Sequence, residues 1–254
     1  MADTPRSFRV EALVLRHSNF AEADRLLTLF TRERGKMHVV AKGVRKLKSR
    51  KAGHLEPFTR VQLQLARGQG MPIIAQAETM EAYSAIRADL DMTARAAYVL
   101  EVLDRFTYDE EEHPQLFQLA VETLERLNAG VEAFFANRYF ELHALNTLGF
   151  RPELFACVSC RQPVQPVDQF FSARRGGVVC PDCALRVEGV RPVSVDTLRF
   201  LRHFQRSSFK EACRADPRPA QREEMETLLQ YYILTQMESR LNTPGFIRAI
   251  SEKA

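Results

Sequence analysis

Phe58-Thr59-Arg60-Val61-Gln62-Leu63-Gln64-Leu65 is the stretch on which the reading of the fold turns. Val61, Leu63 and Leu65 alternate with Arg60, Gln62 and Gln64, the two-residue period of a strand with one face in a core and the other in water. Four further segments share its character. Residues 10–15, 26–31, 37–41 and 73–79 are short, rich in apolar or β-branched side chains, and bounded by Gly, Pro, Asn or Asp. Gly68-Gln69-Gly70 reads as the turn between the last two strands. It neither follows a buried parallel strand nor opens a helix, as a phosphate-binding glycine loop must. Five short strands within residues 1–80 predict a small closed barrel of the OB type.

Beyond residue 80 the apolar period becomes helical. Residues 93–106, 114–127 and 131–148 predict amphipathic helices, with Pro114 in a first turn and Gly130 and Gly149 at chain breaks. Two more follow at 194–205, with Ser194 as N-cap, and at 222–240. The expected fold class is therefore α+β: an N-terminal OB-type β-barrel at residues 1–80, then an α-helical domain at 81–254 that carries a cysteine-rich insert at about 151–192.

That insert contains Cys157-Val158-Ser159-Cys160 and Cys180-Pro181-Asp182-Cys183. The pattern C-x2-C-x19-C-x2-C is the ligand spacing of a four-thiolate zinc site, and four protein sulfurs fill a tetrahedral ion. One structural Zn²⁺ on Cys157, Cys160, Cys180 and Cys183 is the expectation. Two disulfides are the alternative and would need an oxidising compartment. A redox Cys-x-x-Cys fits less well, because that motif stands singly at a helix start within a βαβ unit. Cys213 lies outside the pattern and reads as a free, partly buried thiol.

The formal net charge of +4 hides an asymmetry. Residues 1–80 hold 15 Lys/Arg against 7 Asp/Glu, while the remainder holds 21 against 25. Nine of the basic residues fall within 32–51, where Glu33 is the single acid. In the barrel reading, residues 42–53 form the loop after the third strand, a flexible basic finger able to follow a sugar-phosphate backbone. If about six cations met phosphates of a single strand, the salt slope would be about −4. Phe20, beside Asn19, is the best placed of the barrel's aromatics (Phe8, Phe20, Phe30, Phe58) for stacking on a base. The pairs Phe134/Phe135, Tyr139/Phe140 and Phe150/Phe155 read as core packing, or else as a groove for a partner's apolar peptide.

Several classes are disfavoured. No stretch approaches the roughly 18 apolar residues of a membrane span and the first residues lack a leader's apolar core, so a cytoplasmic protein without a membrane partner is expected. There is no Walker loop, G-x-S-x-G elbow or His-Glu-x-x-His, which points away from an enzyme. Asp109-Glu110-Glu111-Glu112 reads as a solvated approach to the helix at Pro114.

Ala21-Glu22-Ala23-Asp24-Arg25-Leu26, Thr31-Arg32-Glu33-Arg34-Gly35-Lys36, Ala41-Lys42-Gly43-Val44-Arg45-Lys46 and Leu55-Glu56-Pro57-Phe58 resemble the opening of the bacterial recombination-mediator family RecO. Downstream, Leu148-Gly149-Phe150-Arg151-Pro152 before the first cysteine pair and Gly176-Gly177-Val178-Val179 before the second are similar to that family's zinc segment. The resemblance covers nearly the whole chain. One departure is Arg161, where members often have Gly after the second cysteine. The resemblance implies a non-enzymatic, nucleoid-associated DNA repair protein that binds single- and double-stranded DNA and anneals complementary strands. It would work with RecR and with the C-terminal tail of the single-stranded-DNA-binding protein SSB, so that RecA loads at gaps. Carried over by position, Arg34, Lys36, Lys42, Arg45, Lys46, Lys48, Arg50 and Lys51 would be the DNA surface. Two other readings stay open from the residues alone. An RNA-binding factor would show the same basic barrel. An interaction scaffold would survive neutralisation of Lys42, Arg45, Lys46 and Lys48.

Overall fold

The alternating stretch folds as β4 (Arg60–Ala66), with Val61, Leu63 and Leu65 buried on one face and the intervening side chains half-exposed. A computed structural model describes residues 7–68, 70–237 and 247 of the chain. Its first five strands are β1 (Ser7–Phe20), β2 (Asp24–Thr31), β3 (Gly35–Ala41), β4 and β5 (Ile73–Glu81), and they close into a barrel in the order β1-β2-β3-β5-β4. Four of the pairings are antiparallel. The fifth, between β3 and β5, is parallel and consists of Val40 against Ile73. β1 serves both neighbours: its first half pairs with β4 and its second half with β2, the register shifting between Val14 and Arg16.

Every expected strand is present, with one local correction. Phe58 and Thr59, read as the start of β4, precede it. Phe58 has φ +69, and its amide donates to the Val14 carbonyl over 3.1 Å. A residue in the left-handed region cannot continue a strand's alternation, so Phe58 belongs to neither face. The turn between β4 and β5 joins Ala66 to its partner Ile73; Gln69 within it lies outside the described residues.

The barrel interior is aliphatic, built from Val10, Ala12, Leu27, Leu29, Val39, Val61, Leu63 and their neighbours. Val44 and Leu55, from the connection between β3 and β4, belong to the same cluster. Three helices follow within the same compact unit, which the chain leaves at Gly130: α1 (Ser84–Ala88), α2 (Leu90–Phe106) and α3 (Pro114–Asn128). Asp89 is the N-cap of α2, its carboxylate accepting from the Met92 amide at 3.0 Å. Phe30 of β2 meets Phe117 of α3 with ring centroids 6.1 Å apart.

The acidic run 109–112 exposes its side chains but is not merely solvated. Its backbone packs on β3: the Glu110 amide donates to the Lys36 carbonyl at 2.9 Å, and Lys36 and Asp109 form a parallel bridge. Gly35 makes this approach possible.

The second unit begins at Val131. It contains α4 (Ala133–Thr147), a three-stranded sheet in the order β7-β6-β8 (β6 Gln169–Ser172, β7 Gly177–Val179, β8 Arg191–Val193), and the short α5 (Pro181–Ala184). α6 (Val195–Arg206), α7 (Phe209–Ala212) and α8 (Pro219–Gln236) complete it. Ser194 caps α6 as expected, its side chain accepting from the Thr197 amide. α8 starts three residues earlier than expected, with Pro219 in its first turn, and the final residues 238–240 of the expected helix lie outside the described residues. Phe135, Phe140 and Phe204 are buried, and Phe134 and Phe135 pack on Phe204, so these rings form core.

Gly35 has φ +61, and a Cβ there would stand 1.7 Å from the Glu111 carbonyl oxygen. Gly35→Ala therefore combines left-handed strain with a backbone clash. It should cost about 2–4 kcal/mol, read as a lower urea midpoint; an unchanged midpoint would show that the 109–112 segment does not need this contact.

Candidate nucleic-acid interface and metal centre

The β3–β4 connection carries most of the basic residues, and its seat is built by the tip of the β1–β2 hairpin. Asp24 accepts from the Gly43 amide at 2.7 Å, the Ala23 carbonyl accepts from the Arg45 amide at 3.0 Å, and the Glu22 carbonyl accepts from the Arg45 guanidinium at 3.2 Å. Val44, between these contacts, is buried in the barrel end. Successive turns follow, closed by Lys46 N–H to the Gly43 carbonyl (3.2 Å) and Ser49 N–H to the Lys46 carbonyl (2.9 Å). A single 3-10 turn at Ala52–His54 and the buried Leu55 then return the chain to the barrel. The loop is thus held at both ends, not a free finger.

Glu56 fixes the return. It accepts from Arg25 at 2.8 Å and pairs with His17 at 3.1 Å. Burial pushes the Glu56 carboxyl up, but the hydrogen bonds and charges of Arg25 and His17 outweigh it and hold the carboxyl below its ordinary value. A lowered folded value means that this stabilisation is present at neutral pH and is lost as pH falls through the depressed pKa.

The eight basic residues do not form one patch. Lys42, Lys46, Lys48 and Arg50 are exposed on the loop and make no ion pair among the described residues. Arg45 is exposed but bound to the hairpin tip. Lys51 donates its ammonium to the Ile74 carbonyl at 3.0 Å and is half-buried. Lys36 is spent inward on α2, donating to the Asp104 carbonyl at 2.8 Å with the Asp104 carboxylate 3.7 Å away. Arg34 lies in the turn that enters β3, whereas Lys42 lies just past its far end, roughly 25 Å apart at about 3.3 Å per residue. Arg34 stacks on Phe8, its guanidinium carbon 4.4 Å from the ring centre, and Arg67 approaches the same ring at 6.0 Å. Arg67 carries no sequence signal that would single it out, since only the pairing of β1 with β4 brings it to Phe8. Phe20, at the hairpin tip, is 45% exposed.

In the second unit the four cysteines converge. The sulfurs of Cys157, Cys160, Cys180 and Cys183 all lie within 4.8 Å of one another, and those of Cys160 and Cys180 are 3.8 Å apart. All are free thiols. Sulfurs placed about 2.3 Å from a tetrahedral zinc would stand about 3.8 Å from each other, so the donor set fits such an ion. Burial pushes the Cys157 thiol up, but amide donors from Cys160, Cys180 and Ser159 more than offset it and hold it at about 6. Two of these are hydrogen bonds to its sulfur, from Cys180 N–H at 3.3 Å and Ser159 N–H at 3.4 Å. Burial raises Cys180 to about 12, with the neighbouring thiols adding to the rise. Cys213 is a half-buried thiol away from this cluster.

Backbone geometry delivers the two cysteine pairs. Cys180 stands at the N-cap position of α5, which places Cys183 one turn on, its amide donating to the Cys180 carbonyl at 3.1 Å. The first pair is tied to β7 through Val158 N–H to the Val178 carbonyl and Val178 N–H to the Glu153 carbonyl, both 2.8 Å. Gly177 permits that approach, since a Cβ there would lie 2.4 Å from the Glu153 oxygen. The first knuckle closes with Arg161 N–H to the Cys157 carbonyl at 2.8 Å, and Arg161 has φ +65. Arg161 therefore adopts the backbone shape that glycine would take without cost, and the knuckle keeps its form.

A five-stranded OB-type barrel with a seated basic loop, joined in one chain to a helical unit in which four cysteines converge, defines a two-part class of protein. Comparison with known proteins narrows it. The family model "Recombination protein O N terminal" matches residues 5–83 and "Recombination protein O C terminal" matches residues 87–244. A protein of Roseiflexus sp. (strain RS-1) named DNA repair protein RecO is 38% identical over 228 residues, 90% of this chain and 80% of its own. Proteins of the same name from Dehalococcoides mccartyi (strain 195) and Bacillus pumilus (strain SAFR-032) are 37% and 34% identical, over 79% and 87% of this chain and 79% and 86% of theirs. This chain belongs to the RecO family.

Two outcomes test the metal centre. Arg161→Gly relieves a left-handed side chain and should stabilise the second unit by about 1 kcal/mol, seen as a raised melting temperature; a fall would mean that the Arg161 side chain contributes more than its backbone costs. Cys157→Ser should leave the protein without stoichiometric metal and largely insoluble, because such sites supply folding energy. A soluble, folded, metal-free variant would contradict a structural role.

Proposed function

We propose that this protein is a non-enzymatic DNA repair and recombination mediator. It holds single- and double-stranded DNA on the barrel's basic loop and brings complementary strands together for annealing. The observation that carries this reading is the seated loop: Lys42, Lys46, Lys48 and Arg50 are presented together with no ion pair among the described residues, on a support that the barrel holds fixed. A cationic surface that screens two phosphate backbones lets base pairing proceed without a chemical step. Membership of the RecO family supports the DNA repair role.

Arg34, with Phe8 and Arg67, offers a second point of contact at the other end of β3. Lys36, Arg45 and Lys51 act as supports of the surface more than as phosphate ligands. One Zn²⁺ held by Cys157, Cys160, Cys180 and Cys183 would be structural: four sulfurs leave no open coordination position, so the ion would cross-link the two knuckles. RecR, SSB and RecA are the partners that the family resemblance implies. For the acidic, apolar SSB tail we assign the cleft of about 490 Å³ lined by Arg199, Phe200, His203, Ser207, Glu211 and Arg214. It sets Arg199 and Arg214 beside Phe200, with Glu211 as the one opposing acid of its lining. Among the described residues no helix is long and apolar enough to cross a membrane, in keeping with a cytoplasmic, nucleoid-associated protein.

Four free cations predict a salt slope for single-strand binding of about −3, hence about a 50-fold loss of affinity between 50 and 200 mM salt. Changing Lys42, Lys46, Lys48 and Arg50 to Ala should flatten the slope and abolish annealing, measured by fluorescence anisotropy and by strand-pairing assays. An unchanged slope would remove the loop from the DNA surface.

A further inference from the structure

Leu47 is the most exposed large apolar residue of those described, at 107% of the reference value, so none of its apolar surface is buried in the protein. Its setting is not that of a stray surface leucine. It occupies the second position of the hydrogen-bonded turn Lys46-Leu47-Lys48-Ser49, which Ser49 N–H closes onto the Lys46 carbonyl at 2.9 Å. That turn is stacked on the preceding one, which Lys46 N–H closes onto Gly43, and Gly43 itself is held by Asp24. Val44 and Leu55 are sunk in the barrel core on either side, so the loop has two buried apolar anchors and one apolar residue turned outward at its apex.

We propose that Leu47 is a wedge that enters the base stack of a bound single strand. This rests on the reading of the loop as the DNA surface. Charge selects the occupant: Lys46 and Lys48 flank the leucine and Lys42 and Arg50 lie on the same loop, all four exposed and without ion pairs among the described residues. A polyanion lying along these cations brings its bases to the apex between them. Leucine lacks the flat face of a stacking platform, and it acts as the aliphatic side chains do that part base steps in bent duplexes. The double-turn support has already fixed the loop, so little further ordering opposes insertion.

The test uses the full-length protein with a single strand carrying 2-aminopurine, a base analogue that brightens when unstacked, alongside anisotropy on the same strand. Wild type should brighten the probe. Leu47→Ala should bind about tenfold more weakly, with its salt slope unchanged, and should lose the brightening; Leu47→Met, also flexible and apolar, should restore it. Equal brightening and affinity for Leu47→Ala and wild type would overturn the wedge while leaving the cationic loop as the DNA surface. Failure of wild type to bind DNA would sink the functional reading itself. A loss by Leu47→Ala of binding to phosphatidylserine-containing vesicles, with DNA binding and brightening intact, would assign Leu47 to a membrane instead.

Discussion

Closure of the barrel is the constraint from which the first unit follows. β1 pairs with β4 along one half and with β2 along the other, and the ring is completed by β5 lying between β4 and β3. Because β5 lies between β3 and β4 in the ring, the chain cannot pass from β3 to β4 by a tight hairpin. It must cross the end of the barrel before it begins β4. That crossing is the basic loop. Closing the barrel end demands apolar plugs, supplied by Val44 and Leu55, and what lies between the plugs is free to be charged.

The sequence motifs of the RecO family take on a physical meaning in this light. Ala21-Glu22-Ala23-Asp24-Arg25 is less a set of DNA contacts than the loop's seat: Ala23 and Asp24 bind its backbone and Arg25 binds Glu56 of the return. Thr31 and Gly35 form the turn into β3, with the Thr31 hydroxyl donating to the Gly35 carbonyl at 2.9 Å and accepting from the Arg34 amide at 3.0 Å. Lys42, Lys46, Lys48 and Arg50, whose side chains make no ion pair among the described residues, lie on the loop that these motif residues support.

The second unit relies on a different device. Its cysteine-bearing segment has a small apolar cluster of its own, around Cys157, Val179 and Val187. It is bound to the helices mainly by polar side chains reaching backbone carbonyls. From α6, Arg202 donates to Leu154 at 2.8 Å and Gln205 to Pro152 at 2.9 Å; from α8, Tyr232 donates to Phe150 at 2.9 Å and Gln236 to Ala173 at 2.8 Å. Arg206 stacks on Phe155 at 3.5 Å and Tyr232 meets Phe171 edge-on at 5.3 Å. Bonds of this kind are directional, and they work only if the loops hold their shape. A metal joining the two cysteine pairs would supply that rigidity where the apolar core is too small to do so.

Local patterns determined the five strands, the longer helices, the Ser194 cap and the grouping of four thiols, because each depends on a period or a spacing of a few residues. Tertiary structure decided what long-range pairing controls. It sent the Lys36 ammonium inward to Asp104, divided the basic residues between two ends of β3, and packed the acidic run on Gly35. It also formed β6, β7 and β8, too short to show a period, and put Phe58 and Arg161 in left-handed backbone. The count of charges was readable from composition. Which charges remain free was not, since a cation's availability depends on partners that lie dozens of residues away along the chain.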